Sequence, residues 1–180
     1  HRKDDDPVAD PGVREQLLAA LDRIDWTALK ANDRVDLLRA YSLVFIRLGK
    51  PEDTAQQPLI AKFDLLFPTK RPELDALLAR LLICLEAPMA ATKVVDALLA
   101  APTQEEQVDL AVALRSLKTG WTISSREKYF PWFTTAEAYR GGNTFASSLR
   151  TAKNDAIKLL RDDDRSARQL DDLEERRVGR

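Results

Sequence analysis

One histidine and one cysteine are all that this chain holds of the two side chains most often recruited for metal and nucleophile chemistry. The histidine is His1, so an internal Ser-His-Asp or Cys-His arrangement is excluded, and so is a zinc site built on histidines. The cysteine is Cys84, and a lone thiol forms no internal disulfide. It lies in the apolar run LLARLLICLEA, where it is expected to act as a small core hydrophobe. Glycine is scarce at 6 of 180 residues, which disfavours a turn-rich β architecture. Neither charge sign dominates: 28 Lys and Arg against 29 Asp and Glu leave a formal net charge of -1. Such a chain has no overall electrostatic pull toward nucleic acid or an anionic membrane. It has no apolar run of membrane-spanning length and no signal-peptide pattern, and it opens on His rather than Met. The expectation is a piece of a longer protein or a processed product.

What is present is leucine, alanine and helical periodicity. Residues 1–10 read as a charged, flexible lead-in. Asp10 is placed to cap a first helix from Pro11 to Ile24, with Val13, Leu17, Leu18, Leu21 and Ile24 on its apolar face. Asn32 is the cap candidate for a second helix, whose apolar face carries Val35, Leu38, Tyr41, Phe45 and Leu48. Gly49 and Pro51 end it. A third helix is expected from Glu52 or Pro58 to Phe67, with Pro58 in its first turn and Pro68 stopping it. A fourth helix, rich in leucine, runs from Pro72 toward Pro88, and a fifth follows to Ala100. Thr103 and Glu106 have capping-box spacing at the head of a sixth. Ser124 or Ser125 is expected to cap a seventh containing Pro131, and Asn143 or Thr144 an eighth with Phe145, Leu149, Ala152, Ala156, Ile157 and Leu160 as its stripe. Residues 162–180 are expected to form a charged C-terminal helix or tail.

Seven of the twelve aromatic residues fall within 25 positions, WTISSREKYFPWFTTAEAYRGGNTF, from Trp121 to Phe145. Two readings compete for this stretch. Trp121, Phe130, Phe133 and Phe145 are spaced to fold inward and seal the last helices. Exposed rings beside arginine would instead form a platform for carbohydrate or a groove for peptide. The candidate interaction surface is Trp121, Arg126, Tyr129, Trp132, Tyr139 and Arg140. The exposure of Trp132 separates the two.

A shift of 34 residues lays Leu65 on Leu99, Pro68 on Pro102, Thr69 on Thr103, Leu74 on Val108, Asp75 on Asp109 and Leu78 on Val112. A shift of 37 lays Pro51 on Pro88. Paired helices at such a period predict an all-α protein, an α-solenoid of antiparallel helix pairs with about eight or nine helices across residues 11–161.

The run from Ile83 to Leu160 resembles the HEAT-like helical region of large multidomain bacterial proteins common in planctomycetes and their relatives. The likeness rests on Gly120-Trp121, Arg126, Tyr129-Phe130, Trp132-Phe133, Tyr139-Arg140-Gly141-Gly142 and Phe145, and the first forty residues match least. In those proteins the region often follows a sugar-dehydrogenase-like propeller and precedes a c-type cytochrome domain. The resemblance implies a helical scaffold without catalytic residues of its own, and export to the periplasm or beyond. The Cys-x-x-Cys-His of haem attachment is absent.

Other features carry less chemistry. Gly141-Gly142-Asn143-Thr144 opens a helix but has neither the lysine nor the preceding strand of a phosphate loop. Asp4–Asp6 and Asp162–Asp164 lack the alternating ligands and central glycine of a calcium loop. The carboxylates of Asp75 and Asp109 sit at equivalent repeat positions, where an enzyme would need a shared cleft. The expected function is a non-enzymatic interaction module that holds neighbouring domains or a protein partner. It needs no cofactor or metal, does not bind nucleic acid and does not insert into a membrane. A carbohydrate-binding module using residues 121–145 is the alternative.

Overall fold

The computed structural model describes residues 11–142 and 144–161. Among these, all regular structure is helical: α1 (Pro11–Asp22), a 3-10 turn (Trp26–Ala28), α2 (Ala31–Leu48), α3 (Asp53–Leu66), α4 (Pro72–Cys84), α5 (Ala90–Ala100), α6 (Gln104–Leu114), α7 (Ile123–Ala136) and α8 (Phe145–Arg161). None of these helices is long and apolar enough to cross a membrane. The chain divides into two compact units, His1–Leu81 and Leu82–Arg180. The lead-in 1–10, the Asp10 cap, Asn143, both aspartate runs and the tail 162–180 lie outside the described residues.

In the first unit α1 packs on α2. Val35, Leu37, Leu38, Tyr41, Val44 and Phe45 fill the inner side of α2. Phe63 of α3 meets Tyr41 edge to face, with ring centroids 5.1 Å apart at 83°. The Tyr41 hydroxyl donates to Asp22 Oδ1 at 2.8 Å, and Lys62 Nζ donates to both, at 2.8 Å to the carboxylate and 3.0 Å to the hydroxyl. Three helices are thereby tied at one buried phenol. Gly49 ends α2 at φ 80°, with its N–H on Phe45 O. The buried Gln56 amide donates to Pro51 O at 2.7 Å, fixing the loop that leads into α3.

The second unit packs α5 against α6 and α7, and α8 against α6 and α7. Its core combines Val94, Val95, Leu98, Leu110, Leu114 and Leu117 with small residues where backbones approach, including Ala91, Ala111, Ala136 and Ala152. The α8 stripe runs through Leu149, Ala152 and Ala156, as its periodicity predicts.

Several local expectations need correction. Lys30 stands at the N-cap of α2 without a side-chain bond, and Asn32 lies inside the helix. Of the two starts expected for α3 the earlier one holds: the helix begins at Asp53 with Glu52 as its N-cap, so Pro58 is internal and not in the first turn. Its missing N–H would have met the carbonyl of Thr54 on an exposed turn that water can reach. Only Leu18 of α1 is buried, whereas Val13, Leu17 and Ile24 are exposed. Cys84 is exposed too. It follows Arg80 by one turn on the solvent edge of α4, while Ile83 and Leu85 on either side point inward.

At the 34-residue shift Leu65 and Leu99 are both exposed and Ala79 and Ala113 are both buried, but not every pair agrees. Leu81 is buried where Arg115 is exposed, and Arg80 is exposed where Leu114 is buried. Thr69 and Thr103 also differ in role. Thr103 caps α6 by accepting from Glu106 N at 3.3 Å, whereas Thr69 donates its N–H and hydroxyl to Asp75 Oδ1 at 2.6 and 2.7 Å. Asp75 is spent on holding the turn before α4.

Candidate functional site

The aromatic segment is built on α7 and the turn that enters it. Gly120 adopts φ +79°, and a Cβ there would sit 3.0 Å from Pro88 O, so both conformation and space call for glycine. Thr122, not Ser124 or Ser125, is the N-cap of α7: its hydroxyl accepts from Ser125 N at 3.0 Å, and Ser125 Oγ accepts from Thr122 N at 3.0 Å. This is a capping box with serine in the reciprocal position. The helix continues through Pro131, which is exposed, as is Glu127, whose carbonyl loses its partner to the proline.

From this start, α7 turns Tyr129, Trp132, Phe133 and Ala136 inward at helical spacing. The rings pack as a continuous cluster. Tyr129 lies 5.2 Å from both Trp121 and Phe130 and 5.1 Å from Phe133. Trp132 lies 5.1 Å from Phe133 and 6.2 Å from Tyr139. Most contacts are edge to face, as the ring quadrupoles favour.

The polar ends of these rings find partners on α6 and the turn after it. Tyr129 donates to Ala111 O at 2.8 Å, and Trp132 Nε1 to Gln107 Oε1 at 2.8 Å. The Tyr139 hydroxyl donates to the same Gln107 oxygen in a short bond. Trp121 Nε1 donates to Leu117 O at 3.0 Å. Gln107 completes itself by donating to Ala101 O at 2.8 Å. Gln104 clamps the backbone of Arg140, donating to its carbonyl at 2.8 Å and accepting from its N–H at 3.3 Å. Gln104, Gln107 and Ala111 follow one another down one side of α6, so their partners run antiparallel along the chain from Arg140 back to Tyr129. Gln104 and Gln107 escaped the sequence reading. Nothing local marks them, since their partners are 25 to 36 residues away.

The six candidate surface residues therefore divide. Arg126, Tyr129 and Trp132 are buried, Trp132 with only 4% of its surface exposed. Amphipathic spacing on α7 puts them on the packed side, and burial removes them from any surface in this conformation. Trp121 and Tyr139 are half-buried and Arg140 is exposed. Phe130 and Phe133 fold inward as expected of a sealing cluster. Gly141 belongs to the same seal, because a Cβ there would collide with the ring of the half-buried Phe145.

Burial holds the Tyr129 phenol far above its ordinary value of 10.0, with Arg115 pulling weakly the other way. Tyr41 is raised as well, by burial first and then by the Asp22 carboxylate. The folded chain keeps these protons where the unfolded chain has lost them. This contribution to stability is complete below the ordinary tyrosine pKa and falls as pH rises above it. Urea midpoints should decline steeply in that alkaline range, and less steeply for Tyr129→Phe. An unchanged slope in the variant would contradict the assignment.

Among the described residues no group of three His, Cys, Asp or Glu side chains is placed to hold a metal ion. No family model, curated protein or solved structure matches this chain.

Proposed function

We propose that this chain is a non-enzymatic helical scaffold, an α-solenoid-like module of antiparallel helix pairs that holds neighbouring domains or a protein partner in fixed relation. On this reading it belongs to a larger, exported multidomain bacterial protein of the kind its sequence resembles. The observation that carries the proposal is the internal use of the aromatic segment. The indole N–H groups of Trp121 and Trp132 and the hydroxyls of Tyr129 and Tyr139 all donate within the fold. A carbohydrate platform needs rings in solvent with polar edges left for sugar hydroxyls. Trp132, the ring that best distinguishes the two functions, is buried. Each carboxylate of the conjectured Asp75–Asp109 pair also has another setting: Asp75 binds Thr69, and Asp109 is exposed.

The test combines acrylamide quenching with an oligosaccharide panel. In a variant carrying Trp26→Phe and Trp121→Phe, the remaining Trp132 emission should resist quenching, and no sugar should shift the wild-type spectrum. Protection of Trp121 by a glycan would overturn the scaffold reading in favour of a carbohydrate-binding module built on residues 121–145.

A further inference from the structure

Segment 137–142 leads the chain away from the end of α7, and of its six residues only Tyr139 is not exposed. Tyr139 and Arg140 tie it to α6. The Tyr139 ring meets Trp132 edge to face, with centroids 6.2 Å apart at 74°, and its hydroxyl donates to Gln107 Oε1. The Gln104 amide clamps the Arg140 backbone in both directions, at 2.8 and 3.3 Å. Both clamp bonds are exposed, so water competes for them and their net hold is small. The slot that receives Tyr139 is built independently of the segment. Its wall, Trp132, is buried and packs on Phe133 at 5.1 Å. Its acceptor, Gln107, is anchored to Ala101 O at 2.8 Å and also holds the Trp132 N–H at 2.8 Å. Lifting the segment would leave indole and amide in place, with one of the two acceptor positions on Gln107 Oε1 vacated.

We propose that segment 137–142 is a displaceable strap, and that Tyr139 fills from within the chain a preformed slot that a tyrosine of a protein partner takes in its place. The inference rests on the scaffold reading and names the side chain by which the partner is held. A phenol fits because the slot offers an aromatic wall and an acceptor already aimed at a hydroxyl. Phenylalanine would leave that acceptor unfilled, and a carboxylate would set acceptor against acceptor. Because Trp132 and Gln107 are held by other contacts, an incoming ring has little to order. The strap competes as a tethered ligand with a high effective concentration. The native chain therefore binds weakly, and loosening the Gln104 clamp strengthens binding.

The test uses the intact chain carrying Trp26→Phe and Trp121→Phe, with Trp132 as reporter and N-acetyltyrosinamide as probe. Adding Tyr139→Ala should give a saturable change in Trp132 emission. The parent should bind at least about tenfold more weakly, with Gln104→Ala between the two. N-acetylphenylalaninamide should bind the Tyr139→Ala variant at least about tenfold more weakly than the tyrosine probe. Hydrogen exchange in the wild-type chain reads the strap itself. The Arg140 amide should exchange much faster than the core amides of α7, and at least about tenfold faster again in Gln104→Ala, with the core unchanged. Exchange of Arg140 at the core rate would overturn the strap. Equal binding of the two probes, or none to a folded Tyr139→Ala variant, would overturn the slot. Should circular dichroism show that variant unfolded, Gln104→Ala carries the same comparison of probes. If both probes fail while the sugar panel stays silent, this inference falls alone. If a sugar binds, the scaffold reading itself falls.

Discussion

Trp132→Ala should lower stability by about 3–5 kcal/mol, a large part of what holds a domain of this size. The indole is enclosed by Phe133 and Tyr139, and its N–H is one of two donors on Gln107 Oε1. Truncation leaves a cavity that cannot close readily. Phe133 is also engaged by Tyr129, and Gln107 is anchored at the other end to Ala101 O. Trp132→Phe separates the terms: it keeps most of the ring packing and loses the hydrogen bond, so a cost of about 1–2 kcal/mol beyond its smaller volume is expected. Urea denaturation followed by circular dichroism reads both. A loss below about 1 kcal/mol for the alanine variant would mean that the ring stands in solvent and that the cluster is not core.

Phe63→Ala should cost about as much, 3–5 kcal/mol, in the other unit. Phe63 is wholly buried against the edge of Tyr41, and Tyr41 cannot tilt into the vacated space without breaking its bonds to Asp22 and Lys62. The neighbouring polar cluster thus prevents collapse of the cavity. Removing that restraint is informative: Tyr41→Phe alone loses the hydroxyl and should cost only about 1–2 kcal/mol. In its background Phe63→Ala should cost less than it does in the wild type, because the ring can now relax. Urea midpoints for the two single variants and the double variant decide the matter. Strict additivity would show that the hydrogen bonds do not hold the ring in place.

These cases mark how much the sequence could say. Helix positions followed from periodicity and punctuation: Gly49, Pro72 and Thr103 stand at the boundaries they signal. Which side of a helix is buried was legible where one stripe dominated, as in α8. It was not legible in α1, where Val13, Leu17 and Ile24 compete with Leu18 and only the position of α2 chooses between them. Cys84 misled for the same reason, because in a run where nearly every residue is apolar the pattern has no phase. The cap of α7 was missed because serine, not glutamate, completes the box at Ser125. At the candidate site the density of aromatics announced a core. The setting of Trp132 was hidden because its indole N–H meets Gln107 of α6, 25 residues away. The knot of Asp22, Tyr41 and Lys62 gave no sign either, since its members are 19 to 40 residues apart and meet only through tertiary packing.

The placement of Cys84 fixes a valence. It is the chain's one sulfhydryl, and it stands in solvent at the last position of α4. Alkylation or a mixed disulfide at this atom adds one group per molecule, with no second site to dilute the label. Under oxidising conditions a protein with several such groups can cross-link without limit. This one can form a single bridge to one other copy, so aerial oxidation ends at a covalent pair.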